Sequence, residues 1–196
     1  ADLRDANIAK VSREEHRRVL GLKPLNPPLL EPVGTVAIEA STKPFITREK
    51  FVVGVSRNAK VEIAWLGDSF KSWFLGKTEA PTRETELLYS RLTRSELDGP
   101  IMAELGDVVE TTLGHVYDLM KRQPNGEDGA LLTDGHMNIF YIRDANGILR
   151  AVYVSWRVDD GRGWGVSAGS LSYSYPFGWS CVDRVFSRNS KDAVTV

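Results

Sequence analysis

The sequence predicts one α+β domain with few helices and a mixed, loop-rich sheet. Its 196 residues are about one domain's worth and can bury a single sizeable core. One segment near the middle has the apolar spacing of an amphipathic helix. The last third instead alternates apolar and polar residues with a period of two, which is typical of strands.

The overall composition is that of an ordinary globular chain, with 42% hydrophobic residues, 26% charged residues and a net charge of −1. This balance argues against a strongly basic nucleic-acid footprint, so no nucleic-acid partner is expected. No apolar run is long enough for a membrane span, and residues 1–10 lack the pattern of a signal peptide, so we expect a soluble protein. A lone Cys181 excludes an internal disulfide and multi-cysteine metal sites, and no cofactor or metal is expected.

Residues 1–30 predict a separate N-terminal arm, followed by the main domain over residues 31–196. Ser12 and Glu15 form a plausible capping box for a short helix over Arg13–Leu20, which Gly21 ends. Several prolines then favour an extended segment: Pro24, Pro27 and Pro28. A poorly ordered terminal arm is the alternative.

The first half of the domain predicts short strands around one short helix. The helix is expected over Phe70–Leu75, capped by Asp68 or Ser69 and closed by Gly76. The runs that are rich in β-forming residues or alternate in polarity are Thr35–Ala40, Phe51–Val55, Lys60–Leu66 and Glu84–Leu92.

The longest predicted helix runs from Val109 to Arg122, and Pro124-Asn125-Gly126 terminates it. Lys121 and Arg122 suit its C-terminal dipole. Four of its residues share one apolar face: Leu113, Val116, Tyr117 and Met120. We therefore expect a core helix.

The last third is predicted to be all β. The turn Asp144–Gly147 joins the first two strands, and the turn Asp159–Gly163 leads into the third. An irregular loop follows. The predicted strands are Met137–Arg143, Ile148–Arg157, Trp164–Gly169 and a short closing strand at Val185–Ser187.

Alternation in two of these strands separates a core face from an exposed face. The core set is Val152, Val154, Trp156, Trp164, Val166 and Ala168, and the exposed set is Tyr153, Ser155, Arg157, Gly165, Ser167 and Gly169. Trp179 and Phe186 are expected to anchor the ends of the loop. Together with Trp156 and Trp164 they would support the scaffold.

The composition of residues 151–190 is unusual, because this stretch contains no Lys, Glu, Gln or Met. The first 150 residues contain 8 Lys, 13 Glu, 1 Gln and 3 Met, so about seven such residues would be expected here. A solvated sheet face normally carries Lys, Glu and Thr. The Tyr, Ser, Gly and Arg found instead are typical of adaptable binding surfaces.

Several strings within Asn138–Ser190 are distinctive: NIFYIRDANGILRAVYV, the GW.V.A.S pattern and RVFSRNS. Further distinctive strings lie upstream: LLEPVGTV, LGDSFKSWFLGKTE, DGPIMAELG and KRQPNGEDGALLT. In these strings the chain resembles the variable proteins of diversity-generating retroelements, of the type found in archaea, small-genome bacteria and their viruses. The resemblance implies a C-type lectin fold of the formylglycine-generating-enzyme branch. That fold has few helices and a small mixed or antiparallel sheet with a long loop region.

In that family an error-prone reverse transcriptase randomises template adenines, here over a variable region of about residues 151–190. Randomising both adenines of an Asn codon never produces Lys, Glu, Gln, Met or Trp. Val182, where relatives carry Gly, and a longer loop leave the limits of the set between 170 and 183 open. The resemblance implies these diversified, ligand-binding positions: Tyr153, Ser155, Arg157, Gly165, Ser167, Gly169, Tyr173, Tyr175, Phe177, Ser180, Cys181 and Asp183.

The resemblance implies a non-enzymatic binding protein that recognises an unknown protein or surface ligand, and we expect a monomer. The ligand, and whether the chain is displayed on a cell or virion, stay open. The calcium-dependent sugar signatures of animal lectins are absent, so the fold does not imply sugar binding. An undiversified structural or adhesin module would differ only in lacking genetic variation.

The alternative is an enzyme, or a degenerate one, related to the formylglycine-generating fold; turnover or bound metal would favour it. That activity needs a pair of reactive cysteines. His16, His115 and His136 lie on different elements without a catalytic spacing, and His115 is expected on the outer side of its helix. The acidic pairs Asp159-Asp160 and Glu127-Asp128 are better explained as solvated turns than as calcium sites.

Overall fold

The computed structural model describes residues 19–21, 27–54, 60–157, 162–171 and 178–189. The described strands are β1 (Leu30–Ile38), β2 (Phe45–Ile46), β3 (Ile63–Leu66), β4 (Thr78–Glu79), β5 (Thr85–Leu92), β6 (Asn138–Arg143), β7 (Leu149–Arg157), β8 (Gly163–Gly169) and β9 (Arg184–Arg188). The described helices are α1 (Thr47–Lys50), α2 (Asp68–Phe74), α3 (Asp98–Leu105) and α4 (Leu113–Arg122), with a 3-10 turn at Gly106–Val108. The expected α+β class is confirmed.

Seven strands form one mixed sheet in the order β1-β5-β9-β6-β7-β8-β3. Neighbouring strands are antiparallel except for β6 with β9 and β3 with β8. Strands β2 and β4 form a separate antiparallel pair. The sheet is larger than expected, because the strand predicted over Glu84–Leu92, present as β5, lies between β1 and the closing strand β9.

The larger core lies between one face of the sheet and helices α2 and α4. Phe70 and Phe74 of α2 and Val116 of α4 are fully buried there. The sheet contributes the predicted core residues Val152, Val154, Trp156, Trp164, Val166 and Ala168, each no more than 4% exposed, together with Phe140 and Phe186. The alternation read from the sequence therefore places the correct side chains inside.

A second, smaller core lies on the opposite face of the sheet, beneath α3. Ile101 of α3 belongs to the same buried cluster as Tyr141, Val185 and Trp179. Leu29 is also buried in this cluster, so the packed domain includes the residue just before β1. Part of β7 and all of β8 continue beyond this cluster, and their residues on that face form the surface described below.

The β6–β7 hairpin is set by the carboxylate of Asp144. It accepts hydrogen bonds from the backbone N–H groups of Asn146 (2.8 Å) and Ile148 (3.0 Å) and pairs with Arg150 at 3.0 Å. Gly147 has a φ of 79°, which favours glycine. The predicted turn is confirmed, and it fixes which residues of β7 face each way.

The N-terminus of α4 is closed by side chains from two elements. Glu79 accepts from the N–H groups of Leu113 and Gly114, each at 3.0 Å. Thr112 Oγ1 accepts from His115 N (3.2 Å), and His115 Nδ1 accepts from Thr112 N (3.3 Å), which completes a capping box. The helix therefore begins at Leu113 rather than Val109, and His115 is 4% exposed, so its predicted outward position is wrong.

Burial of the imidazole has a consequence for acid stability. It lowers the pKa of His115 from its ordinary 6.5 to about 4, and Arg188 adds to this effect while Glu79 and Asp118 oppose it. The unfolded chain binds the proton more readily, so stability is complete above about pH 6.5 and falls as the pH drops towards 4. We expect a loss of up to about 3 kcal/mol in urea unfolding over that range.

The variant His115→Gln tests this expectation, because glutamine can complete the same capping box without titrating. Between pH 7 and pH 4.5 we expect the unfolding free energy of the wild type to fall relative to that of the variant. His136→Gln serves as the control, since His136 is exposed. An identical pH slope in wild type and His115→Gln would contradict a buried neutral imidazole.

Two other local predictions differ from the structure. Phe51 is buried in a bend after α1, and Gly54 forms only an isolated bridge to Ile63, so no strand forms there; Val55 lies outside the described residues. The N-cap of α2 is Gly67 rather than Asp68 or Ser69, and no side chain caps it. Helices α1 and α3 and the strand pair β2–β4 were not predicted. The arm helix, apart from residues 19 and 20, and the turn at 159–163, apart from its last two residues, lie outside the described residues.

Candidate binding face

The outward residues of β7 and β8 lie together on one face of the sheet. Tyr153 pairs with Ser167 and Ser155 pairs with Gly165 in the antiparallel register. We call the surface formed by Tyr153, Ser155, Arg157, Gly165, Ser167 and Gly169 the strand face. All six are predicted diversified positions, and the structure brings them side by side on neighbouring strands.

Two residues of the strand face are less exposed than predicted. Gly165 and Ser167 are both buried, so the expectation that they face solvent is wrong. A Cβ at Gly165 would lie 2.9 Å from Cδ of Arg157, whose side chain crosses this position. Ser167 lies beside the backbone of Gly67, where a Cβ would be 2.5 Å from its Oγ. Side chains and backbone from neighbouring strands thus cover them, which a strand's own alternation cannot indicate.

Tyr153 connects the strand face to the segment around Trp179. The two rings meet edge to face, with centroids 5.3 Å apart. Trp179 is held by paired backbone hydrogen bonds with Glu96, of 2.8 and 3.1 Å. Its indole Nε1 donates to Asp98 Oδ1 at 2.7 Å. Trp179 is 3% exposed, and this burial is what we expect of an anchor residue.

Asp98 is the polar centre of the smaller core and was not singled out from the sequence. It is 1% exposed, and its Oδ1 also accepts from the hydroxyl of Tyr141 at 2.8 Å. Burial raises the pKa of the Asp98 carboxyl, against the opposing effect of these two hydrogen bonds. Its Oδ2 has no hydrogen-bond partner among the described residues. The carboxyl thus joins α3, β6 and the Trp179 segment.

The turn at 180–183 contains three predicted positions that behave differently. Cys181 is exposed and Ser180 is partly exposed. Asp183 is only 6% exposed, and its carboxylate accepts from the N–H groups of Met137 (2.9 Å) and Ser180 (2.8 Å). The prediction that Asp183 faces outward is therefore wrong, because its side chain closes the turn onto the start of β6.

The remaining predicted positions, Tyr173, Tyr175 and Phe177, lie outside the described residues. Of the other three scaffold residues, Trp156 and Trp164 pack edge to face in the larger core, with ring centroids 5.3 Å apart. Phe186 stacks on Phe140 there at 4.5 Å.

Two surface grooves lie away from the strand face. The first, of about 560 Å³, is lined by Val33, Arg91, His136 and Cys181 among others. The second, of about 690 Å³, lies beside Phe45 and Tyr117. Within the described part of the chain, no three His, Cys, Asp or Glu side chains cluster in a way that could hold a metal ion. No described helix is long and apolar enough to cross a membrane.

The guanidinium of Arg188 donates to the backbone carbonyl of Asp107. Comparison of the chain with protein-family models, with curated proteins and with solved structures finds no match.

Proposed function

We propose that the chain is a ligand-binding variable protein with a C-type lectin fold, whose C-terminal surface is diversified by retroelement mutagenesis. The observation that carries the proposal is that residues 151–190 combine a restricted composition with tryptophans that are buried. The missing Lys, Glu, Gln and Met match the outcomes that adenine randomisation of Asn codons cannot produce. The tryptophans of this segment, which such randomisation cannot produce either, are buried supports, each at most 4% exposed.

The geometry of β7 and β8 supports a face that tolerates change. Outward residues alternate with core residues along both strands, so a change in one set leaves the other set in place. Substitutions at exposed sites usually change stability by no more than about 0.5 kcal/mol. Three predicted positions are exceptions: Gly165 and Ser167 are buried, and replacement of Asp183 would release two backbone N–H groups.

Sequencing this gene and its flanks across individual genomes of one population tests the proposal. We expect substitutions to cluster at the codons of the predicted positions, all at template adenines. A near-identical template repeat and a reverse transcriptase gene are expected nearby. A fixed segment without a template repeat would refute diversification.

The aromatic residues of the loop are the expected energetic anchors of binding. Interface hot spots favour Tyr, Trp and Arg and cost about 2 kcal/mol or more when truncated. We therefore expect Tyr173→Ala combined with Tyr175→Ala to abolish ligand binding while leaving the melting temperature nearly unchanged. Thermal melts of the double variant check the second part. A large fall in melting temperature would identify these residues as core and remove them from the binding set.

A further inference from the structure

Trp65 is an exposed aromatic residue at the edge of the strand face. Its side chain is 45% exposed, whereas Trp156, Trp164 and Trp179 are at most 4% exposed. It lies on β3, which runs parallel to β8 and places Trp65 opposite Gly165. Ile63 and Leu66 on the same strand are buried and hold the strand in place.

The indole of Trp65 lies among predicted diversified residues. The guanidinium of Arg157 is 5.6 Å from the ring centroid, within the range of a cation–π interaction. A Cβ at Gly67 would lie 3.0 Å from the indole and 2.5 Å from Ser167 Oγ, so the ring and Ser167 share one site above this glycine. The glycine leaves room for the indole to lie against the strand face.

The shape and charge of this region favour a protein surface as the occupant. Neither groove described above is lined by Trp65 or Arg157, although the first is lined by the predicted positions Cys181 and Asp183. Small-molecule sites are concave, whereas protein partners bind across open faces. In this clone the cation of Arg157 lies beside the apolar indole, so the complementary surface carries an apolar side chain next to an acidic one.

Resting on the proposed function, we infer that Trp65 is a constant contact residue of the binding face that engages a protein partner beside the diversified positions. It lies outside residues 151–190, so mutagenesis of that region leaves it unchanged. Every clone would then begin with one aromatic anchor, of the residue type most enriched among interface hot spots. The diversified residues around it would determine which protein surface binds beside Trp65.

Two display libraries of the full chain test this inference. Both are randomised at the same eight positions, which are the twelve predicted ones without the buried Gly165, Ser167 and Asp183 and without Arg157; one library carries Trp65 and the other Trp65→Ala. Each is selected for binding to ovalbumin, an acidic protein that serves as the probe. We expect the Trp65 library to yield about tenfold more binders, in line with the loss of one hot spot.

Individual binders then provide the matched comparison. Trp65→Ala in a selected clone is expected to weaken Kd by about tenfold or more. Ile148→Ala removes another exposed apolar side chain, from the β6–β7 turn, and is expected to change Kd by less than about twofold. Trp65→Gln, with thermal melts of all variants, separates lost contact from lost folding.

Equal numbers and affinities of binders from the two libraries would overturn the role of Trp65 while leaving the binding function standing. An unchanged Kd in Trp65→Ala clones would do the same. If neither library yields binders, the proposed binding function fails, and the inference about Trp65 fails with it.

Discussion

Replacing Asp98 by alanine is expected to lower the free energy of unfolding by about 3–5 kcal/mol, because it removes the acceptor of two buried donors. The hydroxyl of Tyr141 and the indole N–H of Trp179 both donate to Asp98 Oδ1. Urea unfolding at neutral pH measures the loss. A loss below about 1 kcal/mol would contradict an essential role for this carboxyl in the smaller core.

Asp98→Asn is the matched control, since its amide oxygen can accept from both donors without carrying a charge. Burial raises the pKa of Asp98, so the ionised form is penalised in the folded state. The carboxyl therefore contributes most stability below its ordinary pKa of 3.8, and this contribution is lost as the pH rises above that value. We expect the free energy of unfolding of Asp98→Asn to increase relative to that of the wild type as the pH rises.

Trp164→Ala is the second variant with a large expected effect, a loss of about 3–5 kcal/mol. The side chain is fully buried, contacts Trp156 edge to face, and donates from Nε1 to the carbonyl of Gln123 at 3.1 Å. Its removal leaves a cavity and takes away one of the two hydrogen bonds to the Gln123 carbonyl, which also accepts from Gly126 N at 3.2 Å. Denaturant unfolding gives the measurement.

Trp164→Phe keeps most of the ring and loses the hydrogen bond, so we expect a smaller loss of about 1–2 kcal/mol. Trp65→Ala is the contrast on the other face, expected to cost less than either because that indole is partly exposed. If the Ala variants at 164 and 65 had equal cost, the division of the strands into a core face and the outward strand face would be refuted.

The sequence predicts the strand elements near the C-terminus well because their information is local. Alternation in β7 and β8 identifies Val154 and Trp164 as core, and the Asp144–Gly147 turn fixes the hairpin register. The strand predicted over Glu84–Leu92 is likewise present as β5. Its position between β1 and β9 was not predictable, since strand order depends on pairing between distant segments.

The sequence analysis fails where distant residues decide burial or exposure and where a helix starts with turn-like residues. His115 is buried because neighbouring elements and its own capping bond enclose it, although helical spacing alone places it outward. Helix α3 carries Gly99 and Pro100 directly after its first residue, Asp98; both are typical of turns, although proline is compatible with the first turn of a helix. Trp65 looks like an ordinary strand residue until β3 is placed beside β8.

The two faces of β7 and β8 also differ in the codons that can encode them. Valine, alanine and tryptophan, the residue types of the core set, can all be written without adenine, whereas asparagine and tyrosine codons always contain it. Under adenine-directed mutagenesis, core residues that are encoded by adenine-free codons stay unchanged. This can hold for the whole core set: Val152, Val154, Trp156, Trp164, Val166 and Ala168. Along the DNA of each strand, codons that can change then alternate with codons that stay constant, in the same order as the outward and inward side chains.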